Sequence, residues 1–153
     1  MGLDMYLNKS TYVQNWAHTL ETEKHNITIT KGGVNREDIE LKKIKYIVEE
    51  VGYWRKANQI HNWFVTNVQK GEDDCREYRV GLEQLRILLA KVIQVLNNPS
   101  KGKEVLPALE GFFFGDYEYN EWYLQDLKDT KIILEDIFKN HNIDAEYSYQ
   151  SSW

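Results

Sequence analysis

The chain has 153 residues, 42% hydrophobic and 13% aromatic, which is enough apolar surface for a single folded domain spanning 1–153. Its 24 acids outnumber 19 bases for a net charge of -5, which disfavours nonspecific nucleic-acid binding, since a phosphate backbone is held by clustered excess Lys and Arg. Cys75 is the sole cysteine and the four histidines are scattered, so neither an intrachain disulfide nor a zinc-like cluster is expected, and no cofactor motif is present.

The opening MGLDMYLNKS lacks the basic region and apolar run of a secretory signal, and no segment approaches the roughly 20 apolar residues of a membrane span. A soluble cytoplasmic protein with no membrane partner is expected. Leu3, Met5 and Leu7 alternate with polar neighbours and predict a half-buried strand almost at the first residue. Ile27 and Ile29 alternate with threonines as a second short strand, and Gly32-Gly33 suit a hairpin turn. Asn35 to Asp38 could cap a brief helical turn. Residues 43–53 read as a third strand with Ile44, Tyr46 and Val48 on one face, although Ile47 and Val51 break strict alternation.

A helix is predicted over 54–69, ended by Gly71, with Ala57, Ile60, Phe64 and Val68 as its buried stripe. GEDDC follows as a solvated acidic loop. Leu85, Leu88, Leu89, Val92 and Leu96 mark a second helix over 82–96, stopped by Asn98-Pro99. A third helix over 119–140 carries Tyr123, Leu127, Thr130, Leu134 and Ile137 in register, with Asp116 or Asn120 as its N-cap. Residues 145–153 read as a closing strand. This order predicts an α+β domain, a small antiparallel sheet that includes both termini and is covered on one face by about three helices.

The stretch YWRKANQIHNWF, 53–64, holds four rings, two cations, three amides and a histidine. If it is helical, Trp54, Asn58, His61 and Val65 form a lane beside the buried stripe, flanked by Arg55, Asn62 and Trp63. Such a lane could bind a ligand, with Arg55 or Lys56 meeting an anionic group, Trp54 stacking on a planar ring, and Asn58 and His61 directing hydrogen bonds. The same rings could equally fill the core, with His61 a hydrogen-bonded histidine at its edge. GFFFGDYEYNEWY is the second candidate, where Asp116 and Tyr117 precede a helix N-terminus that attracts anions. No GxGxxG or Walker pattern accompanies it. Asp4 either faces outward or turns inward to pair with a cation such as Arg55.

MGLDMYL, YWRKANQIHNWFVTNVQKGEDDC, VLPALEGFFFGDYEYNEWYLQDL and the terminal YSYQSSW together resemble a family of small uncharacterised proteins encoded by bacteriophages and prophages. The likeness covers both ends and most of the middle of the chain and leaves out 14–43; Gly81 stands where that family usually has Ser. The resemblance implies no particular activity. It does imply a phage accessory protein working in the host cytoplasm, one that counteracts a host defence or regulatory factor by binding it or its small-molecule signal.

The expectation is therefore a non-enzymatic binder whose partner is a small anionic or aromatic ligand, a nucleotide signal among the options, or a host protein; a homo-oligomer is also open. Its site residues would be Trp54, Arg55, Lys56, Asn58, His61, Asp116 and Tyr117. The alternatives are an enzyme acting on a nucleotide, with His61 as general base oriented by Asp4 or Asp116, and a purely structural or assembly protein.

Overall fold

A computed structural model describes residues 2–111 and 118–153. The chain folds as an α+β domain built on a four-stranded antiparallel sheet. Its strands are β1 (Asp4–Tyr12), β4 (Tyr46–Arg55), β5 (Tyr78–Val80) and β6 (Ala145–Ser152), in the spatial order β4-β1-β6-β5. The first and last strands thus sit side by side in the middle of the sheet. A separate hairpin joins β2 (Thr30–Lys31) to β3 (Val34–Asn35).

Alternation along the central strands sorts the two faces. Leu3, Met5 and Leu7 from the β1 end and Tyr147, Tyr149 and Ser151 from β6 are buried on one face. Over them lie α1 (Asn58–Asn67), α2 (Leu82–Asn97), a single turn α3 (Gly102–Val105) and α4 (Glu121–Lys139). The helices bury Ile60 and Phe64, Leu85, Leu88 and Val92, and Tyr123, Leu127, Leu134 and Ile137. The opposite face, with Tyr6, Asn8, Tyr53 and Gln150, is open or half-open.

The expected fold class holds, and several element boundaries move. The hairpin turns through Gly32 and Gly33 at φ 58° and 81°, the left-handed pair such a turn requires, but its strands are 30–31 and 34–35 and not 27–29. Asn35 to Asp38 forms no helical turn; Arg36 instead pairs with Asp38 at 2.6 Å. Strand β5 had no sequence signal beyond Tyr78 and Val80, too short a run for periodicity to register. Asn120 is the N-cap of α4, its side-chain oxygen accepting from the N–H groups of Trp122 and Tyr123.

The largest correction concerns residues 54–57. They do not open a helix: Trp54 and Arg55 end β4, opposite Met5 and Asp4, and α1 begins only at Asn58. Pairing with β1 wins over helical periodicity because each added rung satisfies backbone groups and buries Trp54 against the core. The broken alternation at Val51 is a β-bulge, where the register shifts between Leu7 and Asn8. One extra residue swaps the faces, so Glu49 lies on the helix side before the bulge and Gly52 and Trp54 after it. Gly52 lies under α4, where a Cβ would meet Ile133 at 2.9 Å and the Trp54 ring at 3.0 Å.

Candidate functional site

Splitting the 53–64 stretch between a strand and a helix distributes its polar groups to different places. Trp54 is 4% exposed and its Nε1–H donates to Thr130 Oγ1 at 2.8 Å. Asn58 is buried at the first position of α1. His61 is fully buried and joins a chain of polar groups below the sheet. Its Nδ1 lies 2.7 Å from Tyr149 Oη and its Nε2 3.0 Å from Asp73 Oδ1, while Trp153 Nε1–H donates to the same carboxylate oxygen at 3.2 Å. The arrangement fits a neutral imidazole that donates from Nε2 to Asp73 and accepts from Tyr149 at Nδ1.

Burial pushes the His61 pKa below its ordinary value, and Asp73 pulls against that shift. Tyr149, stacked on Phe64 at 3.9 Å, is held well above its usual value by the same burial. His61 therefore is oriented, but by Asp73 and Tyr149 and not by Asp4. Asp4 lies on the open face of the sheet, accepting from Tyr53 Oη at 2.6 Å with Arg55 Nε 3.9 Å away. A general base needs a reachable proton, and neither His61 nor Tyr149 is exposed to one. The chain ties α1, the acidic loop and β6 together, a role the acidic loop's sequence gave no sign of.

Arg55 and Lys56 do converge on a concavity. They meet Gln59 of α1 and Trp122, Tyr123 and Asp126 of α4 around a cleft of about 270 Å³, which Glu118 and Asn120 also line. Lys56 is a non-glycine residue at φ 58°, held there by its N–H donating to Leu3 O at 2.8 Å and by Asn58 N–H donating to its carbonyl at 2.9 Å. A strained lysine at a strand-to-helix junction marks a position where the fold tolerates cost to aim a side chain. Lys56 enters no ion pair among the described residues.

Trp122 is 76% exposed, a large ring offered to solvent on the wall of the cleft. Burial raises the Asp126 carboxyl to about 6, against the Gln59 amide, which donates to it at 3.3 Å and favours its charged form. Tyr123 closes the floor; its hydroxyl donates to Leu106 O at 2.7 Å. The amides of Trp122 and Tyr123 are already taken by Asn120, so the helix end offers them to no anion. Gln59 does not stand out within its stretch, and Trp122 and Asp126, one turn apart on α4, escape the sequence reading because only the packing of α4 beside the end of β4 and α1 brings them there. Asp116 and Tyr117 lie outside the described residues.

A larger hollow of about 560 Å³ runs between Tyr12, Trp16, Thr22, His25 and Asp144. Tyr12 and Trp16 give it rings as well, but it lacks the neighbouring Arg and Lys and the carboxyl of shifted affinity for protons that the smaller cleft brings together. Among the described residues no group of three or more His, Cys, Asp or Glu is placed to hold a metal ion, and no helix is long and apolar enough to cross a membrane. No protein-family model matches the chain, and neither a curated protein nor a solved structure is significantly similar to it.

Proposed function

We propose that the protein binds a small molecule joining an anionic group to a planar, amine-bearing ring, of the mononucleotide class, in the cleft between β4, α1 and α4. The observation that supports this reading is the convergence of Arg55 and Lys56 with the exposed Trp122 ring and the Asp126 carboxyl around one concavity. The two cations would take the phosphate, a charge-assisted contact that works whatever the global charge of the chain. The indole would stack on the base, and Asp126, kept in place by Gln59, would accept from a ring amine.

Among the described residues the cleft brings acids to bind and orient but no buried nucleophile beside a base, and this favours binding over turnover. With the resemblance to phage-encoded proteins, this makes the molecule an accessory factor that withdraws a nucleotide signal from the host cytoplasm. Calorimetric titration with guanosine, adenosine and uridine 5′-monophosphates tests the reading. Amine-bearing nucleotides should bind, and more tightly as pH rises through about 6, where Asp126 loses its proton; uridine monophosphate, without an exocyclic amine, should bind less and gain only what the second ionisation of its phosphate, also at about 6, contributes. Absence of heat with all three, or binding unchanged by Arg55→Ala and Trp122→Ala, would refute it.

A further inference from the structure

Strand β4 lies at an edge of the sheet: β1 pairs with one side of it, and no described strand lies along the other. Tyr46, Ile47 and Val48 are 48%, 43% and 61% exposed, and Lys45, Glu49 and Glu50 are exposed as well. Such an edge is a template for another strand. Which backbone groups it presents follows from one bond, Val13 N–H donating to Lys45 O at 2.8 Å. Residue 45 thus faces β1, and by the alternation of an antiparallel ladder so do 47 and 49, leaving Tyr46, Val48 and Glu50 to turn their N–H and C=O groups outward. The bulge at Val51 ends this run.

Two identical edges can pair about a two-fold axis only if outward residues meet outward residues. Centring the pair on Glu49 or its neighbour Glu50 sets identical carboxylates against each other, and centring it on Val48 sets Ile47 against Glu49 and Tyr46 against Glu50. Centred on Ile47, the register places Lys45 opposite Glu49 twice, Tyr46 opposite Val48 twice, and Ile47 against itself. Opposite charges and apolar groups are then matched from residue 45 to residue 49, and only Glu50 meets an apolar partner, Ile44. The glutamates disfavour the registers centred on Val48, Glu49 and Glu50, and the one centred on Tyr46 sets Lys45 against Ile47 and needs Lys43, which lies in a 3-10 turn at Leu41–Lys43, opposite Glu49.

We infer that a second copy of this chain docks on β4 in the register centred on Ile47, joining two four-stranded sheets into one. The dimer closes, because pairing uses the long edge of both copies and leaves only the three-residue β5 at either end. The inference stands apart from the ligand cleft, since Lys45 and Glu49 do not line it.

Sedimentation equilibrium over about 1 to 100 μM protein tests it. The wild-type chain should dimerise, and Lys45→Glu and Glu49→Lys should each weaken association about tenfold or more, because two attractive cross-strand pairs become repulsive. Mixing the two variants restores both charge pairs, so a heterodimer should form at wild-type affinity; ¹⁵N labelling of one variant identifies it by native mass spectrometry, and its recovery also shows that both variants fold. A wild-type monomer throughout the range, a dimer indifferent to both substitutions, or variants that fail to recover on mixing would overturn the inference.

Discussion

Two groups of polar residues, each including members of the 53–64 stretch, end in opposite conditions. The chain Tyr149–His61–Asp73–Trp153 has its histidine and tyrosine fully buried and engaged, and reaches the surface only at Asp73 and Trp153. The cleft around Arg55, Lys56, Gln59, Trp122 and Asp126 is open, carries a strained lysine with no ion pair among the described residues and shows a ring to solvent. The first has the donor-acceptor order of a catalytic relay, but its histidine and tyrosine are closed to a substrate. The second has no relay and full access. Oriented chemistry is thus a poor marker of function unless something can reach it, and surplus polarity at an accessible junction is the better one.

Substitutions separate the two regions, beginning with the largest effect. His61→Ala removes the partner of the buried Tyr149 hydroxyl and one donor from half-buried Asp73 and leaves a void, and should cost about 3 kcal/mol in chemical denaturation while leaving nucleotide affinity unchanged. The native state keeps His61 neutral and the unfolded chain does not, so wild-type stability contributed here should fall as pH drops below the unfolded histidine value, and His61→Ala should lose that dependence. Arg55→Ala combined with Lys56→Ala should do the reverse, lowering ligand affinity by about 2 kcal/mol in a calorimetric titration with little effect on folding.

Lys56→Gly sharpens the contrast further. Relief of the left-handed backbone should stabilise the fold by up to about 1 kcal/mol, even as the lost ammonium weakens binding. A protein made more stable and less competent by one change would identify the strain as serving the cleft. Asp126→Asn tests the same region by pH. Because folding raises this carboxyl to about 6, the native state holds its proton longer than the unfolded chain, and the wild-type protein loses stability as pH rises from the ordinary carboxylate range through 6. The variant should therefore be the more stable at neutral pH and lose that advantage below about pH 4, as thermal melts across the range would record. Trp122→Ala should be the mildest for folding, within about 0.5 kcal/mol of wild type, since the ring is mostly in water.

Legibility in the sequence followed length and period. Helices α2 and α4 run 16 and 19 residues with continuous apolar stripes, and their bounds came within two residues of expectation. Strand β1 was evident from strict alternation, and β6 from its terminal tyrosines. Residues 54–57 misled because a bulge at Val51 flips the faces and a left-handed lysine, with no Gly or Pro to announce it, breaks the chain direction. A helical reading carried across that break merges the end of one strand with the start of one helix. Arg55 and Lys56 survive as cleft residues because charged groups stay at the surface under either reading, whereas Trp54, Asn58 and His61 go inside with the true alternation.

The proposed place of binding is the cleft, and not the buried histidine chain. Nitrogen–proton correlation spectra recorded while guanosine 5′-monophosphate is added test it residue by residue. The account predicts shifts concentrated at the Trp122 indole, the Gln59 side-chain amide and the backbone of Lys56, with the ring nitrogens of His61 unmoved. Shifts centred on His61, or a spectrum indifferent to the nucleotide, would contradict it.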